Sequence, residues 1–111
     1  RFHLVEVSIP ALEVVFNHLK ECNLDFLLIP GDLTQDGEPE NHRWLAQQLS
    51  TLSFPAYVIP GNHDVPSLDA TENTIAFSEF PSFYPKQGYT DPKQIYYTCE
   101  VFPNVQLIGL N

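Results

Sequence analysis

The chain has 111 residues, enough for one domain with a single core and too few for two. Hydrophobic residues make up 43% and charged residues 17%, a balance that excludes a disordered chain. The formal net charge of -9 argues against a nucleic-acid footprint or an anionic-membrane surface, while an acidic protein still binds phosphate esters where metal ions supply positive charge locally.

The first predicted element is a helix with Ser8 as its N-cap and Pro10 in its first turn. Leu12, Val15, Phe16, Leu19 and Cys22 recur at helical spacing and form one apolar face. Lys20 lies near its C-terminus, where positive charge is favoured, and Asn23 stops it. Phe26-Leu27-Leu28-Ile29 is an uninterrupted apolar run of strand length, which suits a parallel strand covered on both faces. Pro30 and Gly31 end it, and Asp32 to Pro39 reads as a polar loop. A second helix is predicted from about Glu40 to Leu52, with Trp44, Leu45, Gln48, Leu49 and Leu52 on its inner side. Ala56-Tyr57-Val58-Ile59 is a second buried strand, ended by Pro60 and Gly61. From Pro66 to Pro92 the pattern is irregular and rich in aromatics, a cover over the sheet edge with a short helix around Glu72 to Glu79. Ile95, Tyr97, Cys99 and Val101 then alternate with polar residues. Phe102-Pro103-Asn104 turns the chain into a partner strand from Val105 to Leu110, giving an antiparallel hairpin.

One internal echo carries most of the information. Ile29-Pro30-Gly31-Asp32 returns thirty residues on as Ile59-Pro60-Gly61-Asn62. A strand, a loop, a helix and a strand in that length make a right-handed βαβ unit with parallel strands. Adjacent strands lie about 4.8 Å apart. The echoed positions therefore emerge together at the carboxyl-terminal edge of the sheet, where open α/β sheets bind ligands. Asp32 and Asn62 should share one small volume, with His63 and Asp64 just behind.

The donors in that volume are oxygen and imidazole, with no thiolate, a set that suits Mn, Fe, Zn or Mg. A carboxylate can bridge two ions about 3.5–4 Å apart, and Asp32 is the candidate bridge. Asn62 offers a neutral carbonyl oxygen to one ion. His63 is either a further ligand or an acid. Asp64 beside it points to the second role, because a neighbouring carboxylate orients an imidazole and favours its protonated form. A protonated His63 would stabilise a phosphoryl oxygen or protonate the leaving group. The bland alternative is a pair of ordinary turns, since Pro-Gly-Asp and Gly-Asn are both common turn fragments.

Other features carry less. Asp32, Thr34, Asp36 and Gly37 imitate the start of an EF-hand loop, but Arg43 stands where the bidentate Glu is required. His3, His18 and His42 are isolated and are expected on the surface or a helix flank. Cys22 and Cys99 read as small buried hydrophobes in a reducing compartment, the alternative being a single disulfide. No apolar run reaches membrane-spanning length, no signal-peptide pattern opens the chain, and a cytoplasmic location is expected. The sequence has no methionine, begins at Arg1-Phe2-His3 and stops on an apolar run, so it reads as a piece of a longer chain.

At Gly31-Asp32-Leu33-Thr34 and Gly61-Asn62-His63-Asp64 the sequence resembles the calcineurin-like metallophosphoesterases. Gly-Asp-Leu-Thr-Gln-Asp-Gly-Glu-Pro looks most like the branch with class III cyclic-nucleotide phosphodiesterases. The resemblance maps Asp32 to the bridging aspartate, Asn62 to an asparagine ligand of the second metal, His63 to the catalytic histidine and Asp64 to its acidic partner. Ile108-Gly109-Leu110-Asn111 is similar to the strand closing the family's first half. The family also uses an Asp-x-His, a later His and a Gly-His-x-His, which residues 1–111 do not contain.

The fold class expected is therefore α/β, a partial metallophosphoesterase-type sandwich: a βαβ unit with parallel strands, then a C-terminal antiparallel hairpin, with α-β-β-α layers in the full domain. Residues 1–111 would form one partial domain, the first half without its opening strand. The function implied is a metal-dependent phosphodiesterase with two divalent ions (Mn, Fe, Zn or Mg), acting on a cyclic nucleotide or another small phosphodiester or phosphomonoester. The 111-residue chain alone is expected to be inactive. The alternative is a non-catalytic scaffold on the same fold. The apolar end at Leu107–Leu110 leaves homo-oligomerisation open.

Overall fold

Two parallel strands and the helix between them carry the predicted site. The computed structural model describes the backbone of residues 2–111, and side chains from Pro10 onward. The elements in chain order are α1 (Phe2–Glu21), β1 (Leu27–Ile29), α2 (Pro39–Ser50), β2 (Ala56–Val58), α3 (Phe80–Phe83), β3 (Tyr97–Phe102) and β4 (Val105–Gly109). A single 3-10 turn, Phe77–Glu79, leads into α3. The chain is mixed α/β, with β1 and β2 parallel and β3 and β4 antiparallel, as expected.

The helix α1 starts earlier than its cap signal indicated. Its backbone is helical from Phe2, so Ser8 is not its N-cap and Pro10 lies inside the helix. The side chain of His3 lies outside the described residues. His18 and Lys20 occupy the last turn, where they complement the helix dipole. Phe16 is the anchor: it is buried and meets Trp44 of α2 edge-on, with ring centroids 6.1 Å apart. The predicted apolar face is only half used, because Leu12 and Val15 stay exposed.

Pro39 opens α2, where its missing N–H costs nothing. Glu38 stands at the N-cap without capping the helix. Its carboxylate instead accepts the Asp36 amide at 2.8 Å and the Asn41 side-chain amide at 3.1 Å, which folds the loop back on itself. His42, Leu45 and Leu49 form the buried stripe of α2. Leu45, Leu49, Leu52, Phe54, Ala56, Val58, Ile75, Phe80 and the tyrosines 84, 89 and 97 make one apolar cluster.

The strand β1 is not covered on both faces. Leu28 is 49% exposed, while Leu27 and Ile29 pack against the cluster. In β2 the alternation is sharper, with Ala56 and Val58 buried and Tyr57 half-buried. The outer edge of β2 is held without a strand: the Val58 amide donates to the Gln87 carbonyl at 3.1 Å, and the Tyr97 hydroxyl donates to the Val58 carbonyl at 3.0 Å. The two strand pairs are therefore separate two-stranded sheets. Ile95 lies before β3 and is exposed, so the alternation begins at Tyr97. Asn104 takes the left-handed turn position at φ 67° between β3 and β4. The short helix in the aromatic segment falls at Phe77–Phe83 instead of Glu72–Glu79, because Phe80 and Tyr84 are the residues that reach the core. Cys22 and Cys99 are free thiols, each half-buried.

Candidate active site

Beyond β1 and β2 the two echoed turns pack directly on each other. The ladder runs one step past the strands, where the Ile59 amide donates to the Ile29 carbonyl at 3.3 Å. Gly31 has φ 120°, and a Cβ there would lie 2.7 Å from the Gly61 nitrogen. A Cβ at Gly61 would overlap the Asp32 carboxylate. Both positions need glycine, one for its dihedral and both for the close approach. Asp32 follows at φ 52°, a left-handed conformation uncommon outside glycine and tolerated best by Asn and Asp. The echo is not in perfect register, because Ile29 pairs with Val58 and not with Ile59. Asn62 therefore sits one residue further along its strand exit than Asp32 does, and the His63 amide donates to Asp32 Oδ1 at 3.2 Å.

The four predicted residues divide into two kinds. Asp32, Asn62 and His63 are exposed at the sheet edge. Asp64 is fully buried. Its Oδ1 accepts the Thr34 amide at 2.7 Å and the Thr34 hydroxyl at 3.1 Å, and its Oδ2 accepts the Gly61 amide at 2.8 Å. These bonds aim the carboxylate into the fold, away from the His63 ring. The expectation that Asp64 orients His63 is corrected on this point. The ring instead places Nδ1 2.8 Å from the Gln35 carbonyl. A carbonyl only accepts, so Nδ1 carries a hydrogen, and Nε2 is the ring nitrogen turned away from that bond.

Sequence reasoning missed His42, which is not on the surface. It is fully buried, with Nε2 3.1 Å from the Asp64 carbonyl and Nδ1 2.7 Å from the Tyr84 hydroxyl. Burial lowers its pKa, against weaker upward pulls from the Asp64 hydrogen bond and from the charges of Asp64 and Glu38. Burial pushes the Tyr84 phenol far above its ordinary value, with Asp64 adding to the shift. A usable signal was present: His42 stands three residues before Leu45 and seven before Leu49, on the inner face of α2. Thr34 was also missed. Its hydroxyl, besides reaching Asp64, accepts the Gly37 amide at 3.0 Å.

Asp32 and Asn62 are oxygen donors on adjacent turns, and exposed His63 adds an imidazole, a set matched to hard and borderline cations. Among the described residues no three or more His, Cys, Asp or Glu side chains converge as a metal cage. The described donors thus fit one side of a metal centre.

The family model for calcineurin-like phosphoesterase matches residues 3–111. A probable cyclic nucleotide phosphodiesterase of Synechococcus sp. is 42% identical over 60 residues, 54% of this chain and 24% of that protein. The 3',5'-cyclic-nucleotide phosphodiesterase of Nostoc sp. is 49% identical over 52 residues, 45% of this chain and 20% of that protein. The glycerophosphodiester phosphodiesterase GpdQ of Enterobacter lignolyticus is 28% identical over 103 residues, 91% of this chain and 34% of that protein. The chain spans 20–34% of the length of these curated relatives. A family match across residues 3–111 means that the chain belongs to the calcineurin-like phosphoesterases.

Proposed function

We propose that the protein bearing this sequence is a metal-dependent phosphodiesterase, hydrolysing a cyclic nucleotide or a similar small phosphodiester. The observation that supports this reading is the packing of Gly31-Asp32 against Gly61 beyond two parallel strands, with Asp32 and Asn62 exposed on those adjacent turns. The names of the Synechococcus, Nostoc and Enterobacter relatives support the substrate class. Two divalent ions of the Mn, Fe, Zn or Mg group, when bound, supply Lewis acidity to the phosphoryl group and a nucleophile near neutral pH. Asp32 and Asn62 would hold them from this side, with the remaining ligands supplied by sequence outside residues 1–111. His63, with Nδ1 donating to Gln35, presents Nε2 to the substrate as the proton carrier. Asp64 holds the loop that carries it. No helix among the described residues is long and apolar enough to cross a membrane, and a cytoplasmic location is part of this proposal.

The test is turnover of bis-p-nitrophenyl phosphate with added manganese. The full-length protein is expected to be active and Asp32→Ala inactive, while the 111-residue chain alone shows neither turnover nor tight manganese binding. A full-length protein inactive with each of the four metals would overturn the proposal. The alternative reading is a non-catalytic scaffold on the same fold. That reading wins if the flanking sequence supplies neither an Asp-x-His nor a Gly-His-x-His.

A further inference from the structure

His42 belongs to α2, yet its contacts converge on the loop that carries the proposed site. Its Nε2 faces the Asp64 carbonyl, which only accepts, so Nε2 carries the hydrogen. Nδ1 then holds a lone pair, and the Tyr84 hydroxyl donates to it at 2.7 Å. Phe80 stands edge-on to the imidazole at 5.5 Å between centroids, and Phe83 lies tilted at 5.6 Å. One directed chain results, from the Tyr84 hydroxyl through the His42 ring to the Asp64 carbonyl. Asp64 is fully buried and adjoins His63, so holding its carbonyl fixes the Asp64–Val65 peptide, one unit past His63, and through Asp64 the backbone that leads back to the His63 ring. Other anchors of this loop come from the two turns and the segment after the first: Thr34 and Gly61 on the Asp64 carboxylate, Asp32 on the His63 amide, Thr34 on the His63 carbonyl and the Gln35 carbonyl on the His63 ring. None of these anchors comes from a helix, whereas His42 ties the loop to α2.

We propose that His42, held in one tautomer by Tyr84, is a positioning residue that fixes the Asn62-His63-Asp64 backbone and so aims Asn62 and His63 at the metal and substrate. This rests on the phosphodiesterase reading for its catalytic consequence and on the hydrogen bonds alone for its structural one. A site of this kind loses rate steeply when its groups shift by fractions of an ångström.

Two near-isosteric variants separate the two hydrogen bonds. The amide nitrogen of His42→Gln reaches where Nε2 stands, and that of His42→Asn reaches only where Nδ1 stands. In the full-length protein with manganese, His42→Gln should keep kcat for bis-p-nitrophenyl phosphate within about threefold, and His42→Asn should lose about tenfold, with KM changed less than about twofold in both. Amide hydrogen exchange gives a readout independent of activity, because the His63 and Asp64 amides are both bonded, to Asp32 and to the Gly61 carbonyl. His42→Asn should speed exchange at both amides by about tenfold and His42→Gln by less than about threefold. Equal kcat in the two variants, or unchanged exchange in His42→Asn, overturns the proposal. A wild-type protein without turnover sinks the phosphodiesterase reading instead, and the exchange measurement still decides the role of His42. If His42→Asn does not fold, Tyr84→Phe keeps the ring and frees Nδ1; it should speed Asp64 exchange at least about threefold, and unchanged exchange overturns the proposal.

Discussion

Thr34 and Asp64 stand thirty residues apart, and both the amide and the hydroxyl of Thr34 bond to one oxygen of Asp64, at 2.7 and 3.1 Å. The other oxygen takes the Gly61 amide. A buried carboxylate with its acceptors filled by three donors locks the loop after β1 to the loop after β2. Asp64→Asn places an amide NH2 against an N–H donor on one side or the other. It should lower stability by about 1–3 kcal/mol in urea denaturation, with an unchanged m value. Thr34→Val should cost less, and the double variant less than the sum, because the two changes share one network.

Gly31→Ala probes the packing of the turns. At φ 120° an L side chain is strained, and its Cβ would lie 2.7 Å from the Gly61 nitrogen, a backbone atom that cannot swing away. The variant should be destabilised by about 2 kcal/mol or more in thermal melts. Manganese affinity of the full-length protein should fall with it, because Asp32 is the next residue.

Asp32→Ala and Asn62→Ala address the donors directly. Calorimetric titration of the full-length protein with manganese should show each variant weakened by at least about tenfold, with the greater loss at Asp32, the candidate bridge. Asn62→Ala should melt within a few degrees of wild type, whereas Asp32→Ala should melt lower, because Asp32 sits at φ 52° and accepts the His63 amide. Wild-type affinity in Asp32→Ala would remove it from the metal site.

His42 sets a pH dependence whose sign follows from burial. Its folded pKa lies below the ordinary 6.5, so as pH falls the unfolded chain takes up a proton that the folded chain refuses. The stability contributed by neutral His42 is full above pH 6.5 and declines as pH falls from there through the lower folded value. Urea midpoints measured from about pH 7.5 to about pH 5 should fall, and His42→Gln should flatten that decline. An identical slope in the variant would assign the decline to other groups.

The parallel βαβ unit, the hairpin and the closeness of the turns that carry Asp32 and Asn62 were all legible before any coordinates. Each rests on a short-range rule: apolar runs punctuated by Pro-Gly, a crossover of fixed hand, and alternation across a pleated strand. The Gly31-Asp32 and Gly61-Asn62-His63-Asp64 motifs likewise identified the family that the comparison confirms. Side-chain partnership was not legible. Adjacency paired His63 with Asp64, whereas the fold buries Asp64 under Thr34 and Gly61 and turns the His63 ring to the Gln35 carbonyl. His42 looked like an isolated surface imidazole until α2 packed against α3 and Tyr84 met its ring. Periodicity encodes which face of an element turns inward, but hydrogen-bond partners are chosen by distances between segments tens of residues apart, and those exist only once the chain has packed.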